Sequence, residues 1–132
     1  MKLEHIGIAV TSLDEAAATY RDGFGLEISG YEEVDDYGAR VAMIPIGETR
    51  IELIESTRPD SPIDRFIRKR GPGLHHIAIQ VDDIDQTLKQ LRAAGARLVD
   101  ETARSGAGGT RIAFLHPSSA GGVLLELVEH AK

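Results

Sequence analysis

Hydrophobic and polar positions alternate in two stretches of this chain that lie 71 residues apart. LEHIGIAVTSLD occupies residues 3–14 and LHHIAIQVDDID occupies residues 74–85, and each places apolar side chains at every second position. Such alternation predicts a β-strand with one buried face. A capping residue and a helical segment follow in both cases, and Gly25 and Gly95 end the two helices. The same order of elements therefore begins twice.

Each half of the chain predicts the order β-α-β-β-β. We expect strands at 3–10, 27–34, 39–46 and 50–55 and a helix from Ser12 to about Phe24, then strands at 74–81, 97–102, 111–116 and 123–129 and a helix at 84–94. The closing strands IELIE (51–55) and LELVE (125–129) also align, which indicates a tandem duplication. We expect one α+β domain over residues 1–132, with βαβββ units at about 3–55 and 74–129. Residues 56–73 form a linker with a short helix.

Four ionisable residues interrupt these apolar strands, and they fall at matching places in the two halves. His5 and His76 lie in the opening strands, and Glu52 and Glu126 lie in the closing strands. Side chains alternate between the two faces of a strand, so each of the four projects opposite to its apolar neighbours. The sequence thus predicts two imidazoles and two carboxylates on one concave face of a sheet.

This donor set suits a divalent metal ion. Two nitrogen and two oxygen ligands favour borderline metals such as Co, Mn, Ni, Fe or Zn over calcium. In six-coordinate geometry they leave two positions for water or substrate. A structural role is the alternative, because a lone His or Glu on a strand is commonly a satisfied structural residue. Four ionisable groups are costly to bury unless they are paired or bind metal, which favours the metal interpretation.

Composition narrows the classes of partner. The formal net charge of −6 argues against nucleic-acid binding, and three Phe, three Tyr and no Trp offer little surface for base stacking. No apolar stretch is long enough for a membrane span, and the first strand begins too early for a leader peptide. The absence of cysteine excludes disulfides. We expect small-molecule chemistry in the cytoplasm.

The glycine-rich stretch SGAGG at 105–109 is a further candidate. It does not lie between a strand and a helix, so it does not match a phosphate-binding loop. Either it is a plain loop, or Ser105, Gly106, Gly108 and Gly109 contact substrate at the rim of the cleft. We assign no ligand role to the other three histidines, since His75 points away from His76, His116 precedes a turn, and His130 lies in a tail.

The chain resembles the vicinal oxygen chelate superfamily, which includes glyoxalase I, bleomycin-resistance proteins and extradiol dioxygenases. Within it, the chain is similar to the methylmalonyl-CoA epimerase family. The resemblance runs over residues 3–129 and rests on five motifs: HIGIAV (5–10), DSPIDRF (60–66), GLHHIAIQVDDI (73–84), SGAGGTRIAFLHP (105–117) and GGVLLEL (121–127). It implies a curved mixed sheet that encloses a cleft.

The resemblance also implies a chemistry. It implies that His5, Glu52, His76 and Glu126 bind a divalent metal, Co²⁺ first, with Mn²⁺, Ni²⁺, Zn²⁺ or Mg²⁺ as alternatives. It further implies an acyl-CoA substrate and a homodimer. One base removes the C2 proton, the metal stabilises the enolate, and an acid on the other face returns a proton.

Two positions depart from the family. Some members carry a glutamate where this chain has Val41, so we assign the acid–base pair to Glu52 and Glu126. Many relatives have a lysine where this chain has Ser118, which removes a basic contact to coenzyme A phosphates.

Three other functions found in the superfamily are alternatives. A glyoxalase I-type isomerase would use the same metal set on a glutathione hemithioacetal. A drug-sequestering resistance protein typically lacks a complete metal set. An extradiol dioxygenase uses two histidines and one carboxylate on Fe(II), so the second glutamate argues against it.

Overall fold

The computed structural model describes residues 1–131. Its strands are β1 (Lys2–Ala9), β2 (Gly30–Val34), β3 (Ala39–Ile46), β4 (Thr49–Ser56), β5 (Gly73–Gln80), β6 (Arg104–Ser105), β7 (Arg111–Leu115) and β8 (Leu124–Glu129). Its α-helices are α1 (Leu13–Ala18), α2 (Pro62–Arg70) and α3 (Ile84–Ala93). The α+β class and the βαβββ order of each half are confirmed. Within the described residues, no helix is long and apolar enough to cross a membrane.

The chain divides into two compact units. The first unit comprises His5–His75, and the second unit comprises Met1–Glu4 together with the residues from His76 onward. In the first unit the strand order is β2-β3-β4-β1, and in the second it is β5-β8-β7-β6. Both units contain one parallel pair, β1 with β4 and β5 with β8, and their other pairs are antiparallel.

The first unit buries apolar side chains on both faces of its sheet. Helix α1 covers one face, where Leu13, Ala17, Ala42, Ile44 and Leu53 form a cluster. Helix α2 covers part of the other face, where the cluster consists of Ala9, Ala39, Val41, Ile54 and Ile63. Residues two apart in a strand share a face. Helix α2 therefore packs on the face that carries His5 and Glu52.

The second unit has one main cluster, which lies under α3. It consists of Val81, Ile84, Leu88, Ala113 and Leu127, with Ile79 packed against it. The alternation of β5 and β8 places His76 and Glu126 on the face opposite to α3. The expectation that the isoleucines of the opening strands face the helices is confirmed by Ile8 under α1 and Ile79 under α3.

The duplication extends to the way each helix begins. The Glu55 side chain accepts a hydrogen bond from the Leu13 amide that opens α1, at 3.2 Å. Glu129 accepts one from the Ile84 amide that opens α3, at 2.8 Å. A carboxylate at a helix N-terminus satisfies an otherwise unpaired N–H and complements the helix dipole. Both closing strands therefore end in a residue that fixes the helix of their own unit.

Two secondary-structure predictions need correction. The strand expected at 27–34 begins only at Gly30, whereas the helix expected to about Phe24 is found as α1 followed by a π-helix at Thr19–Gly23. No strand forms at 97–102, where only a bridge between Leu98 and Leu115 is found. The cause lies at Asp100, whose side chain accepts the Phe114 amide hydrogen bond at 2.7 Å. A side chain thus takes the donor that a strand carbonyl would otherwise use.

Candidate active site

The first His/Glu pair lies on β1 and β4. The Nδ1 atom of His5 is 3.5 Å from Oε2 of Glu52, and the side chains are 6% and 14% exposed. In the parallel register of β1 and β4, Gly7 lies opposite Glu52. The Cα atom of His5 is therefore offset from that of Glu52 by two residues along the neighbouring strand. Their pairing within the first unit agrees with the expectation that both project from one face.

An arginine contacts the same glutamate. The Nε and Nη2 atoms of Arg50 lie 2.8 and 2.7 Å from Oε2 of Glu52. Arg50 precedes Glu52 by two residues in β4, so both side chains emerge on one face of the strand. The Arg50 side chain is 32% exposed. Sequence reasoning missed this residue, although the spacing in RIE contains the signal.

Apolar side chains line the same face beyond the glutamate. Ile54 follows Glu52 at the next position on that face and packs in the cluster under α2. Val41 lies opposite Ile54 in the β3–β4 register and belongs to the same cluster. The position where some relatives carry a glutamate is therefore part of an apolar wall in this chain.

The second His/Glu pair lies on β5 and β8. The Nε2 atom of His76 is 3.3 Å from Oε1 of Glu126, and the side chains are 8% and 11% exposed. Ala78 lies opposite Glu126, which reproduces the register of the first pair. The residue that corresponds to Arg50, two positions before the glutamate, is Leu124.

An aromatic ring accompanies the second pair. Phe114 lies opposite Glu126 in the β7–β8 register, and its ring is 6.2 Å from that of His76 in an edge-to-face arrangement. The guanidinium of Arg104 lies 5.5 Å from the centre of the Phe114 ring. Neither Phe114 nor Arg104 was identified from the sequence as part of the site.

The glycine-rich loop has a fixed internal geometry. A Cβ atom at Gly106 would lie 2.6 Å from Oγ1 of Thr110 and 2.7 Å from Cγ2 of Ile112, so a side chain there would displace both neighbours. The Gly106 amide donates to the carbonyl of Thr110. Gly108 and Gly109 have positive φ angles of 65° and 78°, a region that favours glycine. Ser105, Gly108 and Gly109 are exposed, while Gly106 shapes the loop.

The remaining histidines have local partners. The His75 ring packs edge-to-face against Phe66 at 4.8 Å. His116 accepts the Ser118 amide through Nδ1 in the turn, as its position suggested. His130 was expected to lie in a tail without a partner, but its Nε2 lies 3.0 Å from Oε2 of the buried Glu4.

The chemistry of the donors fits a divalent cation. Each unit offers one imidazole and one carboxylate that are largely shielded from solvent and close enough for both to contact one ion. Within residues 1–131, no buried side-chain nitrogen or oxygen lacks a hydrogen-bond partner. Imidazole with carboxylate is a ligand combination that suits first-row transition metals.

Comparison with known protein families identifies one match over most of the chain. Residues 4–114 match the model of the glyoxalase/bleomycin resistance protein/dioxygenase superfamily. An ethylmalonyl-CoA/methylmalonyl-CoA epimerase of Cereibacter sphaeroides is 38% identical to the chain over 128 residues, which cover 96% of each protein.

Solved structures give the same result for the fold. The crystal structure of methylmalonyl-CoA epimerase from Mycobacterium tuberculosis superposes with a TM-score of 0.90 at 44% identity, covering 99% of this chain and 89% of that one. A methylmalonyl-CoA epimerase in complex with methylmalonyl-CoA and NH4+ superposes with a TM-score of 0.90 at 38% identity, covering 98% and 94%. The glyoxalase-like fold class expected from the sequence motifs is confirmed.

Proposed function

The chain belongs to the glyoxalase/bleomycin resistance protein/dioxygenase superfamily and is an epimerase-type enzyme, and from this premise we propose that it interconverts the (2R) and (2S) forms of methylmalonyl-CoA. One observation carries the proposal. A buried His/Glu pair recurs at the same strand register in both units of a chain that matches epimerases over nearly its full length.

A divalent metal ion is part of the proposal. His5, Glu52, His76 and Glu126 would hold it, with Co²⁺ as the first candidate. The donor chemistry of the two pairs supports this assignment. When bound, such an ion polarises the thioester carbonyl and makes the adjacent C2–H more acidic.

The two glutamates are proposed as the proton carriers. One carboxylate oxygen takes the C2 proton and leaves the substrate as an enolate. The other glutamate, already protonated, delivers its proton to the opposite face of C2, which inverts the configuration. The apolar side chains Val41 and Ile54 exclude water beside Glu52, which favours proton transfer between side chain and substrate over exchange with bulk solvent.

The glycine-rich loop is proposed to contact the substrate. Exposed backbone at Ser105, Gly108 and Gly109 supports this role, and the tight packing of Gly106 supports a loop of fixed shape. A preformed loop loses little conformational entropy when it binds a ligand.

A homodimer is proposed as the assembled form. Tyr31 and Ile46, which are 45% and 42% exposed on β2 and β3, support an apolar contact of the first unit with a second copy. Light scattering on the purified protein tests this, and a monomer mass at micromolar concentration would refute it.

Solvent isotope exchange tests the activity. The metal-loaded protein is incubated in D₂O with (2R)-methylmalonyl-CoA, and deuterium at C2 and loss of optical purity are followed together. We expect both to proceed, with deuterium in the (2S) product. Propionyl-CoA, which lacks the free carboxylate, serves as the control for nonspecific exchange. Absence of exchange, combined with turnover of a glutathione hemithioacetal, would replace the epimerase with a glyoxalase I-type isomerase.

A further inference from the structure

We propose that Lys69 and Arg70, at the C-terminal end of α2, bind phosphate groups of the acyl-CoA substrate. The inference rests on the proposed function and adds to it a second binding region, separate from the His/Glu pairs. Both residues are exposed, and within residues 1–131 neither side chain has a hydrogen bond or an ion pair. Their charges are therefore available to an anionic ligand.

The other two cations of α2 are already paired. Arg68 donates to the Asp60 carboxylate at 2.7 Å, and its Nε lies 3.2 Å from Oδ2 of Asp64. Arg65 donates to the backbone carbonyl of Asp60 at 3.1 Å and lies 3.9 Å from its carboxylate. These two carboxylates offset the two arginines. The last two residues of the helix thus form a local positive excess in a chain of formal net charge −6, which favours an anionic ligand at this place.

Helix periodicity places Arg70 on the side of α2 that faces the sheet. Ile63 is buried in the cluster on this side, and Phe66 and Ile67 pack against it. Arg70 follows Phe66 by four residues and Ile67 by three, so it extends the same side of the helix by one turn. This side of α2 covers the sheet face of the first His/Glu pair. The guanidinium therefore belongs to the border of the proposed site.

The chemistry of coenzyme A calls for cations away from the metal ligands. The pantetheine arm separates the thioester from the diphosphate and the 3′-phosphate, so the phosphates lie apart from C2 while it reacts. Phe66, one turn before Arg70, packs against His75 of β5 at 4.8 Å. The end of α2 is thus anchored against the strand that carries His76. Arginine binds phosphate in a bidentate manner, and lysine binds it as a point charge.

A purely structural role does not account for both cations. Positive side chains near the C-terminus of a helix complement the helix dipole. However, α3 has ten residues against nine in α2, and Arg92 is the one cation of its last turn. The Gly71 amide donates to the Ile67 carbonyl at 2.7 Å, so the backbone itself closes the end of α2. The three cations in the last turn of α2 therefore exceed what the dipole of a comparable helix is given.

Substrates with and without phosphates test the proposal. The rate of C2 deuterium exchange is measured for the methylmalonyl thioesters of coenzyme A and of pantetheine, which carries no phosphate. The proteins are the metal-loaded wild type, Lys69→Gln, Arg70→Gln and Arg70→Lys. Lys89→Gln is the matched control, because it removes an exposed cation from another helix, α3.

We expect the wild type to prefer the coenzyme A thioester in kcat/KM. In Arg70→Gln this preference falls by about tenfold, the effect of one charge-assisted hydrogen bond, and in Lys69→Gln it falls by less. The loss lies in KM, and added salt weakens the preference of the wild type more than that of Arg70→Gln. Arg70→Lys keeps the charge without the planar fork and retains part of the preference. Lys89→Gln behaves as the wild type.

Three results would overturn the inference. These are equal use of both thioesters by the wild type, an unchanged preference in either glutamine variant, and an equal loss of kcat/KM for both thioesters. Failure of the proposed function is distinguishable, because the wild type would then show no C2 exchange with either thioester. In that case the inference falls with it. If Arg70→Gln does not fold, Arg70→Lys and Lys69→Gln decide the matter through the same ratio.

Discussion

The two His/Glu pairs have the same frame but different neighbours. In both, the histidine lies in a strand that runs parallel to the strand of its glutamate, with the same register and similar burial. Arg50 contacts the carboxylate of the first pair, and the equivalent position in the second unit is Leu124. An aromatic ring, Phe114, lies beside the imidazole of the second pair. Duplication has preserved the histidine and the glutamate of each pair, and divergence has changed the residues around them.

This contrast distinguishes residues that maintain the fold of each unit from residues that are candidates for substrate specificity. Residues that maintain the frame, such as the helix-capping Glu55 and Glu129, are equivalent in both units. Residues that differ at equivalent positions, such as Arg50 and Leu124, are free of that constraint. In a duplicated active site, the asymmetric positions are therefore the better candidates for substrate specificity.

The largest effect is expected from removing each carboxylate. Glu52→Gln and Glu126→Gln should each slow epimerisation by about 10²–10⁴-fold, because an amide cannot accept the C2 proton. We expect Glu52→Gln to retain more metal than Glu126→Gln, since Arg50 already donates to Oε2 of Glu52. Metal analysis and the deuterium assay measure both properties. If a variant keeps its full metal content and its full rate of epimerisation, the glutamate that it replaces is not a base in the reaction.

A cation beside the second pair should weaken metal binding. Leu124→Arg places a guanidinium at the position equivalent to Arg50, and the added positive charge opposes a divalent ion in the proposed site. We expect Co²⁺ affinity to fall by about tenfold or more, since charges interact strongly in a partly buried site. Competition with a chelating dye measures the affinity, and Leu124→Gln is the uncharged control. Equal affinities for the two variants would show that the neighbour's charge is irrelevant there.

Removing the equivalent helix caps should destabilise both units by a similar amount. Glu55→Ala and Glu129→Ala each remove an acceptor from a helix N-terminus, which costs about 1 kcal/mol in the free energy of unfolding. Urea unfolding measures the loss. A clear inequality between the two variants would contradict the view that the frame is equivalent in both units.

The smallest effect concerns an ion pair found in the second unit. Arg111 donates to both oxygens of Asp85, at 2.8 and 2.9 Å, and this hydrogen bonding holds the pKa of the Asp85 carboxyl below its usual value. The stabilisation is present above the ordinary pKa of aspartate and is lost as pH falls through the lowered one. Asp85→Asn should therefore be slightly less stable than the wild type at neutral pH and equal to it in acid. Urea unfolding at both pH values measures this, and a pH-independent difference would contradict it.

The equivalent arginine of the first unit provides the contrast. Arg40 corresponds to Arg111, but it lies 4.9 Å from the centre of the Tyr31 ring and 3.6 Å from a carboxylate oxygen of Glu33. We therefore expect no comparable change when the equivalent Asp14 is replaced by Asn.

The sequence was sufficient for features that depend on local periodicity. Alternation in β1 and β5 was enough to place His5 and His76 opposite the helices, because strand geometry leaves only two faces. It was insufficient where a side chain competes with the backbone. Asp100 takes the Phe114 amide and prevents a strand that the apolar pattern of residues 97–102 favours.

Contacts between residues far apart in the sequence were the other feature that the sequence did not predict. The contact of His130 with Glu4 joins residues 126 positions apart, and no local pattern reports it. Arg50 is a different case, since its position two residues before Glu52 was visible in the sequence. It was overlooked because charged residues near strand ends are usually solvated, and only the 2.7 Å contact distinguishes this one.

The placement of Met1–Glu4 has a consequence for how the chain reaches its native state. These residues belong to the second unit, and Glu4 is held there by His130. The second unit is therefore discontinuous in sequence and cannot be completed until almost the whole chain has left the ribosome. Closing so long a loop is entropically costly and contributes to slow folding. The first unit is continuous in sequence, so no late segment is needed to complete it.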